Sequence, residues 1–101
     1  MIVVRDIFHA KFGKAKEVGD LFKEAASVLK NVGFGALGLR LLTDLAGEPY
    51  YTFILETTFE SVAAWEQSSL AVHGSPEWRT WYQKLVPLVD NGERKIYSVV
   101  A

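Results

Sequence analysis

Two histidines, His9 and His73, are the side chains in this chain best suited to passing a proton near neutral pH. His9 stands four residues after Arg5 on the same parity of an extended stretch, about 13 Å along it. Arg40 and Glu56 fall in other extended stretches, on faces assigned to the same side. Two arrangements are open to this group. Arg5, Arg40 and His9 either line a pocket, with His9 as a proton shuttle, or Arg5 or Arg40 closes on Glu56 or Asp6 as a cross-strand ion pair and leaves His9 at an exposed strand end. His73, beside Gly74 in a break between two helical pieces, is either an acid–base group or a loop histidine facing solvent.

A second set is aromatic: Trp65, Trp78, Trp81, Tyr82, Tyr51, Phe53 and Phe22. Rings in such number are either plain core or the wall of a cavity for a flat apolar molecule, because rigid rings leave gaps. The candidate ligand contacts are therefore Arg5, Arg40, Tyr51, Phe53, Trp65, Trp78 and Trp81, and the candidate catalytic groups His73 and His9. Other chemistries find no support. The chain has no cysteine, which excludes thiolate nucleophiles, disulfides and cysteine zinc sites, and two histidines are too few for a dedicated metal site. Gly33-Phe34-Gly35 follows a helix rather than opening one, so it is no dinucleotide fingerprint. Ser75 is placed as a helix cap and has no neighbouring base.

Composition narrows the partners. Eleven basic residues against twelve acidic ones leave no excess to attract nucleic acid or an anionic membrane surface. No apolar run approaches the ~18 residues of a membrane span. Residues 1–6 enter a strand pattern at once and lack the form of a signal peptide, so the expectation is a cytoplasmic protein. At 101 residues the chain forms a single domain, 1–101.

These residues must be positioned by elements. The clearest strand is 50–59, rich in aromatic and β-branched residues, with Pro49 closing the preceding turn. Tyr51, Phe53, Leu55, Thr57 and Phe59 share one face; Tyr50, Thr52, Ile54, Glu56 and Thr58 share the other. Residues 2–10 form a strand with Ile2, Val4, Asp6 and Phe8 on one face. Residues 14–32 change to helical spacing, with Val18, Leu21, Phe22, Ala25, Val28, Leu29 and Val32 on one stripe and Gly33 as the C-cap. Residues 34–43 make a second strand. Glu60 or Ser61 caps a short helix to about residue 69, and Ser75-Pro76-Glu77 opens another that ends near Val86. Asp90-Asn91-Gly92 reads as a turn, and residues 94–100 as the last strand.

The order β-α-β-β-α-β is the ferredoxin-like, split βαβ pattern of an α+β domain. Right-handed crossovers put the helices on one face of a four-stranded antiparallel sheet of order 4-1-3-2. The other face still carries Val4 or Ile7, Leu42, Tyr50, Ile54, and Ile96 or Val99. An apolar face of that extent asks for a cover, and the economical one is the same face of a second copy about a two-fold axis.

Three stretches carry a family resemblance: the first strand with Arg5 running into Phe12-Gly13-Lys14, the run Phe59-Glu60-Ser61-Val62-Ala63-Ala64-Trp65-Glu66, and Ser75-Pro76-Glu77-Trp78-Arg79. On these the chain resembles the dimeric α/β-barrel superfamily over nearly its whole length, and within it the NIPSNAP-type domains. The resemblance implies a homodimer paired through its sheets, with a cavity bordered by the segment around the second helix, where His73 lies. It implies two functions: a binding domain for a small hydrophobic or aromatic molecule, or a small monooxygenase or related enzyme acting on an aromatic, polyketide-like or haem compound. In a haem protein His73 would be the axial ligand; otherwise no cofactor is expected.

Overall fold

The computed structural model describes residues 1–48 and 50–101. The elements run β1 (Ile2–Ala10), α1 (Ala15–Asn31), β2 (Gly38–Thr43), β3 (Thr52–Phe59), α2 (Val62–His73), α3 (Pro76–Leu85), a 3₁₀ turn (Val86–Leu88) and β4 (Val89–Ser98). The sheet order is β2-β3-β1-β4 with every neighbour antiparallel. This is the expected ferredoxin-like α+β arrangement, with β1 and β3 central and the second helix in two pieces. No helix among the described residues is long and apolar enough to cross a membrane.

Strand parity sorts the residues. Ile2, Val4, Asp6 and Phe8 lie opposite Phe59, Thr57, Leu55 and Phe53 on the side that carries the helices. Val18, Leu21, Phe22, Ala25 and Leu29 of α1 meet Phe53 and Leu55 of the sheet and Trp81 and Leu85 of α3 in one core. Each Val, Leu or Phe of this stripe contributes roughly 1.5–3 kcal/mol by leaving water, and the stripe is what holds α1 down. The helix ends as its sequence dictates. Gly33 takes φ 75°, and the Phe34 N–H reaches back to the Leu29 carbonyl at 3.0 Å. Phe34 then sets its ring edge-on to Phe59, with centroids 5.3 Å apart.

The opposite side of the sheet carries Val3, Arg5, Ile7 and His9 of β1, Arg40 and Leu42 of β2, and Ile54, Glu56 and Thr58 of β3. From β4 it takes Glu93, Lys95 and Tyr97, which pair with Ile7, Arg5 and Val3. None of these residues belongs to the two core clusters, although Ile7 and Glu56 are themselves buried. The helix-free face is thus semi-apolar, as expected. Of the alternatives Val4 and Ile7, Ile7 lies on it; Ile96 lies opposite Val4 on the helix side.

Four boundaries differ from the sequence reading. β3 begins at Thr52, because Tyr51 takes φ 64° and breaks the extended run; Tyr50 and Tyr51 therefore belong to neither sheet face. Pro49, read as closing that turn, lies outside the described residues. β2 is shorter and starts at Gly38, since Phe34 is taken up in closing α1. α2 continues past residue 69 to His73, which buries Val72 in the core, so His73 is the last residue of a helix and not part of a loop. β4 begins at Val89 and absorbs Asp90-Asn91-Gly92. Gly92 is there for room: a Cβ at this position would stand 2.9 Å from the Phe8 ring across the strand pair.

Candidate functional site

Between the β1–β4 half of the sheet and α3 lies a cavity of about 620 Å³. Its floor is Asp6 and Phe8 of β1, Leu55 of β3 and Gly92 of β4; its wall is Trp78 and Trp81. The exposed residues at its mouth are His73, Arg79, Tyr82, Gln83, Glu93 and Arg94.

Local sequence builds the wall. The Ser75 hydroxyl accepts from the Trp78 N–H and Pro76 occupies the first turn, so α3 starts at a defined point. Helical spacing then puts Trp78, Trp81 and Tyr82 on one face, with Arg79 and Gln83 on its flank. The Trp81 indole is 3 % exposed and donates its Nε1–H to the Leu21 carbonyl at 2.7 Å, tying α3 to α1. Trp78 stacks on Trp81 with centroids 4.6 Å apart and planes 24° from parallel. The two indoles are thus locked in place, with Trp78 half-buried.

Charge in the cavity is arranged in pairs. Arg94 Nε donates to Asp6 Oδ1 at 2.6 Å, and the same guanidinium lies 5.2 Å from the centre of the Trp65 ring. Trp65 borders a narrow side chamber of about 30 Å³ that shares Asp6, Leu55, His73, Trp78 and Arg94 with the main cavity. Glu93 borders the cavity from β4, but its side chain lies opposite Ile7 on the helix-free face, 3.9 Å from Lys95. His73 and Arg79 make no side-chain hydrogen bond or ion pair with any described residue. The arrangement can hold a flat apolar group against indole and phenyl rings, with the Asp6–Arg94 pair at one corner and the remaining polar side chains at the mouth.

The other candidates lie elsewhere. Arg5 and Arg40 are on the helix-free face, where both close on Glu56: Arg5 Nε donates at 2.9 Å and Arg40 Nε at 2.8 Å. Glu56 is only 5 % exposed. Burial pushes its carboxyl up, but the hydrogen bonds from Arg40 and Arg5 and their positive charges outweigh it and hold the group below its usual value. The Arg5 guanidinium also lies 5.3 Å from the centre of the Tyr97 ring. His9 Nδ1 is 3.2 Å from the Thr52 hydroxyl on this same face. Phe53 is core, with its ring 5.5 Å from that of Phe22, and Tyr51 sets its ring 6.2 Å from Phe12 beyond the end of the sheet. His73, Trp78 and Trp81 are therefore brought together at one cavity, with Trp65 in its side chamber, while Arg5, Arg40, His9, Tyr51 and Phe53 are not. Sequence reasoning passed over Asp6, Phe8, Arg79 and Arg94 as cavity residues. A signal for Asp6 was present: it is the one charged residue in the stripe Ile2, Val4, Asp6, Phe8.

The architecture places the chain among ferredoxin-like α+β domains, and the solved structures that share it include NIPSNAP-domain proteins. An uncharacterised NIPSNAP domain protein from Burkholderia xenovorans superposes with a TM-score of 0.85 at 16 % identity, over 100 % of this chain and 96 % of that one. A NIPSNAP family protein from Agrobacterium tumefaciens strain C58 gives 0.83 at 19 % identity, over 96 % of this chain and 90 % of that one. A candidate antibiotic biosynthesis monooxygenase from Nitrosomonas europaea gives 0.76 at 12 % identity, over the full length of both chains. No family model matches the sequence, and neither does any curated protein. At these identities what is shared is the fold, and the likeness to NIPSNAP-type domains read from the sequence holds at that level.

Proposed function

We propose that this chain is a homodimeric, NIPSNAP-like binding domain that holds a small hydrophobic or aromatic molecule between its sheet and α3. The cavity carries this reading. Its volume, about 620 Å³, lies in the range of roughly 300–1,000 Å³ usual for small-molecule sites, and an apolar interior with a few polar groups at one end is how such sites are built. The dimer rests on the helix-free face, where Ile7, Leu42, Ile54 and Tyr97 surround the Arg5–Glu56–Arg40 cluster. A second copy of the same face covers all of them at once. A native mass spectrum of the purified protein tests both parts. The expected species is a dimer, carrying one small-molecule adduct per chain or, if bare, giving saturable quenching of tryptophan fluorescence by a neutral naphthalene. A monomer at micromolar concentration overturns the dimer; a bare chain with no saturable quenching overturns the cavity reading.

One observation favours a second reading, an enzyme acting on an aromatic, polyketide-like or haem compound: His73, the one imidazole among the described lining residues, stands at the cavity's mouth. A haem seated there would take His73 as its iron ligand. With an aromatic compound identified by its adduct mass, His73→Ala abolishes turnover while leaving binding within a few-fold, and with haem it weakens binding as well; unchanged turnover removes His73 from the chemistry.

A further inference from the structure

Four charged residues border the cavity, Asp6, Arg79, Glu93 and Arg94, although Glu93, opposite Ile7 in the strand register, turns its side chain to the helix-free face. Three have partners. Asp6 and Arg94 neutralise each other at 2.6 Å, and Glu93 has Lys95 at 3.9 Å. Arg79 has no ion pair or side-chain hydrogen bond with any described residue. It sits at the mouth, one residue after Trp78 on α3; behind it are Phe8, Leu55, Trp78 and Trp81, with Asp6 tied to Arg94 at one corner. The site thus has a mainly apolar interior walled by packed rings and, among the described residues, one unpaired cation at its entrance.

We propose that the occupant is a planar aromatic anion, such as an aryl carboxylate, with its rings inside against the Trp78–Trp81 wall and its anionic group at the mouth on Arg79. This rests on the cavity reading above and adds the charge of the ligand. A guanidinium presents a planar fork of N–H donors that matches two carboxylate oxygens, so it rewards an anion in one orientation. The paired charges around it serve neither sign: a cationic ligand would meet Arg79 with every carboxylate at the cavity already engaged. The ring-inward orientation follows from burial, because Trp81 and Leu55 are buried and Phe8 half-buried, whereas Arg79 is exposed.

The test compares 2-naphthoate, 2-naphthamide and 2-naphthylmethylamine, which share one ring system, by calorimetric titration into the wild-type dimer and into Arg79→Gln and Arg79→Lys. Circular dichroism melts confirm that each variant is folded. The expected result is that naphthoate binds about three- to fivefold tighter than naphthamide at low salt, the size set by a solvent-accessible charge pair. The preference disappears in Arg79→Gln, survives in part in Arg79→Lys, and shrinks at about 0.5 M salt, where the screening length falls to a few ångströms. Equal affinity for naphthoate and naphthamide, or a preference for the amine, overturns the anion inference and leaves the cavity reading standing. If none of the three binds saturably, the cavity reading falls and this inference with it.

Discussion

Asp6 on β1 accepts a hydrogen bond from Arg94 on β4 at 2.6 Å, across paired strands and on the side of the sheet that faces the helices. An acid among Ile2, Val4 and Phe8 would be costly there without that partner, and the pair forms the polar corner of the cavity. Asp6→Asn or Arg94→Gln should each cost about 1–2 kcal/mol of stability by leaving a half-buried group unpaired. The double variant should cost less than the sum, with a coupling of roughly 1 kcal/mol in urea unfolding. Additive losses would mean that the two groups do not interact in solution.

Glu56 makes the fold sensitive to acid. Its folded-state carboxyl lies below the ordinary value of 4.5. A depressed pKa gives stability that is present above the unfolded-state value and lost as pH falls through the lower folded one. Arg5 and Arg40 are 40 % and 66 % exposed in their side chains, so the gain is modest, about 1 kcal/mol. Glu56→Gln should therefore be less stable than wild type at pH 7 and lose less on acidification. Parallel melting curves for the two proteins between neutral pH and about pH 3, below the usual carboxylate range, would disprove the effect.

Trp81→Phe should be the most damaging single ring replacement in the cavity wall. It removes the bond to the Leu21 carbonyl and opens a void under α1 and α3, for a loss of about 2–3 kcal/mol in chemical denaturation. Trp78→Phe, half-buried and without such a bond, should cost less than half as much.

Gly92→Ala should reshape the cavity floor. Its Cβ would come within 2.9 Å of the Phe8 ring, and that ring must give way. The expected loss is about 1–2 kcal/mol of stability, with weaker binding of any naphthalene ligand. Unchanged affinity would show that Phe8 does not shape the site.

Ile54→Lys places a charge in the middle of the helix-free face, opposite Ile7 and Leu42. Sedimentation should show a dimer for wild type and a folded monomer for the variant; a variant that remains dimeric would move the interface to another surface.

Much of this molecule is legible without coordinates, for physical reasons that differ by element. β1 and α1 appear where their spacing puts them because period 2 and period 3.6 are imposed by backbone geometry alone. Ser75-Pro76 and Gly33 act within a few residues of themselves, so capping chemistry marks the start of α3 and the end of α1. Those local signals, set in the order β-α-β-β-α-β, determine the sheet order and the helix-bearing face. The left-handed Tyr51 and the long β4 escaped the reading because neither is a local preference. Asp90-Asn91-Gly92 is turn-like in isolation and becomes a strand only because Phe8 and His9 offer a ladder across from it.

Which residues share a site was decided by tertiary structure. Arg5 and His9 share parity and so share a face, but nothing in their spacing says that the cavity lies on the other one. Asp6 and Arg94 are 88 residues apart, and strand register alone brings them into contact. Arg79 is an ordinary surface arginine in sequence; what singles it out is that Asp6 is already paired with Arg94 and Glu93 lies beside Lys95. Local chemistry along the chain sets the elements, while pairing between distant segments sets which charges are left without a partner for the proposed ligand to meet.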